Sequence, residues 1–260
     1  MLKIALIQFA SHPDKGFNLE KAKKFLNSLP SDVDIAVFPE YMMGYPEDAA
    51  LKEYVEKMAE DENGEFLSSL RNCVKSKGMW AIFNVFEREE KRIYNTNFVI
   101  DDNGDIVAKY RKIHLFDVLG YRESDYFSAG REVTTFQYGG VKLGLATCFD
   151  LRFPEMFRKM ALMGADVFIV PSAWYVGGLK EMQWQIIGQV RAHENVAFLI
   201  AVCNSAKPFV GRSYVADPYG VIRYELGIGE KYGIYEIDLK ELEKARRDLP
   251  LLNLRRTEAY

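Results

Sequence analysis

The sequence is poor in cysteine and histidine, the residues on which disulfide frameworks and many metal sites depend. Its 260 residues include 3 of each, and the cysteines, Cys73, Cys148 and Cys203, form no CxxC pair. An odd number of widely spaced cysteines argues against a disulfide framework and a zinc knuckle, and no group of histidines, cysteines and carboxylates has the spacing of a metal site. We therefore expect reduced thiols and no bound metal.

Long apolar runs and an excess of charge of one sign are also missing. No stretch approaches the roughly 18 to 20 apolar residues of a membrane span, and residues 1–9 are typical of a first strand and not of a signal peptide. The 34 basic and 37 acidic residues are spread along the chain, so no basic tract suggests a nucleic-acid or membrane partner. These absences indicate a cytoplasmic protein that acts on a small molecule.

No Gly/Ser-rich or Pro-rich linker divides the chain, which predicts a single domain over residues 1–260. Short apolar runs alternate with helical patterns and indicate an α/β fold. Strands are predicted at 4–9, 35–38, 80–86, 94–100, 106–110, 133–136, 141–148, 166–170, 197–202, 213–216, 221–225 and 233–237. Helices are predicted at 19–29, 47–58, 65–77, 154–163, 179–194 and 239–247. Residues 249–260 contain apolar side chains without a period and are predicted to form an extended C-terminal arm.

Turn signals and one aperiodic region separate these elements. Asp102, Asn103 and Gly104 predict a hairpin turn between two of the strands, and the segment 213–237 again resembles a hairpin. Residues 117–131 are polar, aromatic and aperiodic, so we expect a loop over a pocket there.

Cys148 lies where an apolar strand pattern gives way to a helical one, in the run GLATCFDLRFPE. Strand ends in α/β proteins expose side chains to a crevice, and the amides that open the next helix offer hydrogen-bond donors to developing negative charge. The alternative is a buried cysteine that acts as a small hydrophobic residue. The position favours a nucleophile.

Three further reactive side chains share this kind of placement. Glu40 follows a predicted strand, and Glu123 lies in the predicted loop. Lys112 lies in KYRKIHLF, where a period of two puts Tyr110, Lys112 and His114 on one face if the strand continues. Each has a structural alternative: a helix N-terminal acid for Glu40, a solvated basic edge for Lys112 and a surface acid for Glu123.

Together these residues could solve one chemical problem. A thiol attacks only as its thiolate, a carboxylate can accept the thiol proton, and a lysine offsets the negative charge that accumulates. In acyl transfer, Lys112 and the backbone amide of Phe149 could also stabilise an oxyanion. A papain-like pair of Cys148 with His114 or His193 is the competing arrangement, but both histidines suit structural roles, one beside Lys112 and the other at a helix C-terminus.

Three motifs, FPE at Glu40, YRKIHLF around Lys112 and CFDLRFPE from Cys148, closely resemble, in this order, the catalytic motifs of the nitrilase superfamily of carbon-nitrogen hydrolases. The resemblance extends over nearly the whole chain. It implies that Cys148 is the nucleophile, Glu40 the general base and Lys112 the stabiliser of the tetrahedral intermediate. Glu123 matches an additional glutamate that orients substrate and supports the lysine. A reversed assignment, with Glu123 as the base and Glu40 positioning the lysine, stays open.

The same resemblance implies a four-layer α-β-β-α sandwich with two mixed sheets, no cofactor or metal, and pairing into a homodimer or a larger homo-oligomer. Within the superfamily the chain is most similar to the omega-amidase and deaminated-glutathione amidase branches, whose substrates carry carboxylates. The hypothesis is therefore a thiol-dependent amidase that cleaves the terminal amide of a small carboxylated substrate. A nitrilase, an N-carbamoyl amidohydrolase and a non-catalytic binding protein on the same fold are the alternatives.

Four residues near the motifs are candidates for binding this substrate. Arg152 would lie one turn along a helix that starts at the nucleophile, and its guanidinium suits a bidentate interaction with a carboxylate. An ion pair with Asp150 or Glu155 is the structural alternative. The other candidates lie next to the nucleophile or in loops near the motifs and could form an aromatic pocket: Phe149, Tyr45 and Trp174.

Overall fold

Two six-stranded sheets form the centre of the computed structural model, which describes residues 1–46 and 51–259. In spatial order, the first sheet consists of β12 (Lys231–Ile237), β1 (Leu2–Gln8), β2 (Ile35–Val37), β3 (Trp80–Glu89), β4 (Arg92–Ile100) and β5 (Ile106–Arg111). The second consists of β11 (Ile222–Glu225), β10 (Tyr214–Ala216), β9 (Phe198–Cys203), β8 (Val167–Ser172), β7 (Val141–Leu145) and β6 (Thr134–Tyr138). Strands β1, β2 and β3 run parallel, as do β7, β8 and β9, and the remaining pairs are antiparallel. Both sheets are therefore mixed.

Helices cover the outer face of each sheet. The described helices are α1 (Lys15–Ser28), α2 (Leu51–Met58), α3 (Glu65–Lys77), α4 (Pro154–Leu162), α5 (Lys180–Asn195) and α6 (Leu239–Asp248). Helices α1 and α3 pack on the first sheet and on each other, and α4 and α5 cover the second. The predicted four-layer α-β-β-α sandwich is confirmed.

The period-two pattern of apolar residues explains how the first sheet is covered on both faces. In β1, Leu2, Ile4 and Leu6 belong to the core between the two sheets, whereas Ala5 and Ile7 pack under α1 and α3. Burying one large aliphatic side chain contributes about 1.5 to 3 kcal/mol. The alternation along one short strand thus stabilises both the sheet–sheet and the sheet–helix contact.

Two strands end beside reactive residues, at positions that differ from the predicted ones. The strand predicted at 141–148 ends at Leu145, because the chain turns into a 3-10 helix (Cys148–Arg152) for which Thr147 is the N-cap. Strand β5, predicted at 106–110, ends at Arg111, so the strand does not continue through Lys112 and His114. The Lys112 amide still donates to Asn95 O at 2.8 Å, which keeps Lys112 on the buried side of the sheet.

Two other predictions concern the connections of the second half. The hairpin in segment 213–237 is formed by β10 and β11, whereas β12 crosses to the first sheet and pairs with β1. The helix predicted at 47–58 corresponds to α2 in its described part, and residues 47–50 lie outside the described residues.

The C-terminal segment lies against its own chain as far as the structure describes it. Residues 251–254 form turns, and Leu252 packs against the hydrophobic cluster that contains the second sheet. Tyr260 lies outside the described residues. Within residues 1–46 and 51–259, no helix combines the length and apolarity that a membrane crossing requires.

Candidate active site

The carboxyl ends of several strands bring the predicted reactive side chains into one pocket. Glu40 follows β2, Lys112 follows β5 directly, and Cys148 follows β7. All three line the same pocket, together with Glu123 from the loop after β5. Strands β2 and β5 belong to the first sheet and β7 to the second, so the pocket lies where strand ends of both sheets come together, and residues more than 100 positions apart in the chain meet here.

Lys112 joins the two glutamates in a buried ion cluster. Its Nζ atom lies 2.8 Å from Glu40 Oε1 and 2.8 Å from Glu123 Oε2, and the three side chains are only 1% to 2% exposed. Asn95 Nδ2 donates to Glu40 Oε1 at 2.8 Å, and the amide of Ala173 donates to Glu40 Oε2 at 2.8 Å. Both oxygens of Glu40 are therefore held in place, as a buried carboxylate requires.

Three buried asparagines support this cluster, and sequence analysis missed them. Asn84 in β3 donates to Asn95 Oδ1 at 2.6 Å and to Asn97 Oδ1 at 2.9 Å, both in β4. Asn95 Nδ2 also lies 3.3 Å from Glu123 Oε1, so one amide contacts both carboxylates. The sequence contains an indication of this network, because the two asparagines of β4 repeat with period two inside an apolar strand. A buried amide side chain is stable there only if its polar atoms form hydrogen bonds.

Glu123 is fixed by the loop that the sequence predicted to cover a pocket. It opens a 3-10 turn (Glu123–Asp125), and its Oε2 accepts a hydrogen bond of 2.6 Å from the amide of Phe116. The hydroxyl of Tyr41, another residue that sequence analysis missed, donates to Glu123 Oε1 at 3.2 Å. The carboxylate is thus 1% exposed and is not the surface acid of the structural alternative.

Cys148 occupies a left-handed backbone conformation, with φ of 44°. For a residue with a side chain this conformation costs roughly 1 to 3 kcal/mol and persists only where the surroundings hold it. Asp150 provides that restraint, because its Oδ2 accepts from the amide of Thr147 at 2.8 Å and from the hydroxyl of Tyr110 at 2.6 Å. Its Oδ1 accepts from the amide of His114 at 3.0 Å.

The histidines do not line the pocket. His114 stacks on Phe153 with ring centroids 3.6 Å apart, and its Nδ1 lies 2.7 Å from Asp150 Oδ1. His193 lies in the last turn of α5. Neither imidazole is placed to form a pair with Cys148. Among the described residues, no group of three or more histidines, cysteines and carboxylates could hold a metal ion.

The ionisable groups of the cluster shift each other's protonation. Burial raises the pKa of the Cys148 thiol and the Glu40 charge raises it further, whereas Lys112 opposes both. Burial also raises the pKa of Glu40, against the effect of Lys112. Burial lowers the pKa of Lys112, but Glu123 and Glu40 outweigh it and leave that pKa well above its usual value. With both carboxyls ionised and the thiol neutral, the cluster has one net negative charge, and transfer of the thiol proton to Glu40 leaves this charge unchanged.

Three of the four predicted substrate-binding residues line the pocket, and the fourth does not. Phe149, Arg152 and Trp174 are part of its wall. Tyr45 is not: its hydroxyl lies 3.0 Å from the hydroxyl of Tyr175, and it supports that wall residue from behind. The remaining aromatic wall contains Phe116, Tyr121, Tyr126 and Tyr175.

Arg152 belongs to the 3-10 turn that starts at Cys148 and not to the following helix. Its guanidinium lies 4.5 Å from the centre of the Trp174 ring and donates to Gln183 Oε1 at 3.3 Å. In the described part of the chain, no carboxylate lies within 4.0 Å of it, so the alternative ion pair with Asp150 or Glu155 does not form. Burial lowers the pKa of Arg152.

Comparison with known proteins gives matches along the whole chain. The profile of the family described as carbon-nitrogen hydrolase matches residues 3–247. The sequence is 32% identical to an omega-amidase from Saccharomyces cerevisiae, with 100% of this chain and 94% of that protein covered. It is 32% identical to 2-oxoglutaramate amidase from Bacillus subtilis, with 99% and 98% covered. The crystal structure of Saccharomyces cerevisiae Nit3, a member of branch 10 of the nitrilase superfamily, matches with a TM-score of 0.86 and 28% identity over 98% of this chain and 96% of that one.

Proposed function

The chain belongs to the carbon-nitrogen hydrolase family, and on that premise we propose that it is an amidase that hydrolyses the terminal amide of a small carboxylated substrate to an acid and ammonia. One observation carries the proposal: Cys148, Glu40 and Lys112 share a pocket with Arg152, a cation without a carboxylate partner among the described residues. The relatives named omega-amidase and 2-oxoglutaramate amidase support the choice of amide.

Acylation starts with transfer of the Cys148 proton to Glu40. The sulfur attacks the amide carbon, a C–S bond forms, and the carbonyl electron pair moves onto oxygen. The Lys112 ammonium and the backbone N–H of Phe149 stabilise this oxyanion. When the intermediate collapses, the C–N bond breaks and Glu40 returns its proton to the departing ammonia, which leaves a thioester on the sulfur.

Deacylation repeats these steps with water in place of the thiol. Glu40 accepts a proton from water, the hydroxyl oxygen attacks the thioester carbon, and the same donors stabilise the second oxyanion. The C–S bond then breaks, the acid leaves and the thiol regains its proton. Glu123 takes no proton in this scheme. It keeps Lys112 charged and in position, which its 2.8 Å contact with Nζ supports.

The function is tested by measuring ammonia release from short dicarboxylic acid monoamides such as succinamate and glutaramate. We expect turnover of these amides, faster than of neutral amides of the same length, because Arg152 favours a carboxylate. Nitriles of the same length and N-carbamoyl amino acids are assayed separately, as substrates of the alternative functions. Folded protein that releases no ammonia from any amide contradicts the proposal, and carbon dioxide released together with ammonia from the carbamoyl compounds indicates a carbamoylase instead.

We further propose that residues 1–260 form one cytoplasmic domain that pairs into a homodimer. The reduced state of Cys73, Cys148 and Cys203, none of which forms a disulfide, agrees with the cytoplasm. A stripe of exposed apolar side chains along α5 supports the pairing. Its members are 44% to 48% exposed and recur at helical spacing on the face opposite the sheet: Met182, Ile186 and Val190.

Replacement of Ile186 by aspartate is expected to convert the dimer to monomers. In a two-fold symmetric interface the new charge is buried twice, which should weaken association at least about 100-fold. Sedimentation velocity at micromolar concentration measures the change. Val107→Asp, at an exposed apolar position of β5 in the other sheet, is the matched control and should remain dimeric. A wild-type monomer, or a dimeric Ile186→Asp variant, contradicts this interface.

A further inference from the structure

The outer part of the pocket contains a second cation, Lys180, at the first residue of α5. No sequence motif indicates it, since Lys180 lies 32 residues after Cys148 and belongs to none of the three motifs. Its side chain is half-buried and close enough to Arg152 and Cys148 to interact with both electrostatically. Lys180 is therefore part of the pocket wall and not a remote surface lysine.

The inner part of the pocket has a net negative charge, and the outer part has a net positive charge. In the depth, Lys112 is neutralised by Glu40 and Glu123, with one negative charge in excess. Nearer the mouth, Arg152 and Lys180 carry two positive charges, and no carboxylate of residues 1–46 or 51–259 lies within 4.0 Å of either. Two like charges facing one cavity without a counter-charge repel each other, and an anionic ligand would remove that repulsion.

Trp174 positions both cations. Its ring lies 4.5 Å under the Arg152 guanidinium, and its Nε1 donates to the backbone oxygen of Lys180 at 3.0 Å. Leu179, just before the helix, has a φ of 61° and directs the chain so that α5 begins beside the pocket. The lysine is thus held at the mouth by a buried residue of the wall.

We propose that Lys180 is a specificity-determining residue that binds, together with Arg152, the anionic end of the acyl group whose amide is cleaved at Cys148. This proposal rests on the proposed amidase function. The reacting carbonyl lies at the sulfur in the depth of the pocket, and the acyl chain extends toward the mouth, where its carboxylate lies between the two cations. The site then selects anionic amides over neutral amides of equal length.

The test compares wild-type protein with Lys180→Met and Lys180→Arg. For Lys180→Met, we expect the ratio of kcat/KM for glutaramate to that for pentanamide to fall about tenfold, through a rise in KM for glutaramate, because one charged hydrogen-bonding partner is lost. Lys180→Arg should retain most of the preference. A ratio that stays at the wild-type value in Lys180→Met overturns the proposal, although the amidase function then stands.

A binding measurement separates this proposal from the proposed function. Titration of glutarate into Cys148→Ala protein by calorimetry requires no turnover, and adding Lys180→Met to this variant should weaken binding about tenfold. Equal binding with and without the lysine charge contradicts the role of Lys180. If no amide is hydrolysed but glutarate binding still depends on Lys180, the amidase function fails and the anion site remains.

Discussion

Ammonia release from glutaramate is expected to fall by roughly four to six orders of magnitude when Cys148 is replaced by alanine, because removal of a nucleophile leaves only the contribution of binding and oxyanion stabilisation. The backbone should keep its conformation, since the hydrogen bonds of Asp150 to Thr147 and Tyr110 do not involve the sulfur. The measurement is a coupled ammonia assay, with circular dichroism to verify folding.

Cys73→Ala is the matched control, since Cys73 is a free thiol outside the pocket and its loss should leave turnover unchanged. Mass spectrometry of wild-type protein quenched during turnover should also find the acyl group on the peptide that contains Cys148. Cys148→Ala protein that retains turnover, or an adduct on another cysteine, would show that the thioester mechanism is wrong.

The second large effect is expected from Glu40→Gln, which should slow acylation by about 100- to 10,000-fold, the usual contribution of a positioned general base. Glutamine keeps the shape and the hydrogen bond acceptor but cannot take the thiol proton. Glu40 lines the same pocket as Cys148, and the two groups influence each other's pKa. Single-turnover release of ammonia measures this step separately from hydrolysis of the thioester.

Glu123→Gln is the matched variant for this comparison. Like Glu40→Gln, this substitution removes one negative charge that lies next to Lys112, because both carboxylates contact Lys112 Nζ at 2.8 Å. Unfolding in urea compares the stability of the two variants, and we expect similar losses of unfolding free energy. If the acylation rate then falls much less in Glu123→Gln than in Glu40→Gln, Glu40 is the base. A larger rate loss in Glu123→Gln would reverse the assignment and make Glu40 the residue that positions the lysine.

The fold and the centre of the site were predictable from the sequence because both depend on strand ends. Apolar runs that stop at Glu40 and Cys148 indicate where a strand of each sheet ends, and a strand end is where α/β proteins expose side chains to a crevice. The alternation of apolar residues in β1 indicates that both faces of the sheet are covered. These features are encoded locally, in a few consecutive residues each.

The parts that the sequence did not reveal depend on contacts between distant segments. Asn84 and Asn95 meet only through the register of β3 with β4, and Lys180 reaches the pocket only because α5 begins beside Trp174. Tyr45 was expected in the pocket from its proximity to Glu40 in the chain, but it packs one layer behind. Several loops that are distant in the sequence form the wall of the pocket, so closeness to a catalytic motif in the chain does not predict which residues line it.

The constant charge of the buried cluster has a consequence for how substrate reaches it. In the proposed mechanism, each proton that Glu40 takes from Cys148 or from water is passed on within the pocket, and amide plus water yields a carboxylate and an ammonium ion without a surplus proton. Catalysis therefore needs no water-filled channel that connects the carboxylate with bulk solvent. Water is then needed at the reacting atoms only as the reactant of deacylation, and the opening that admits the amide can also admit this water and release the products.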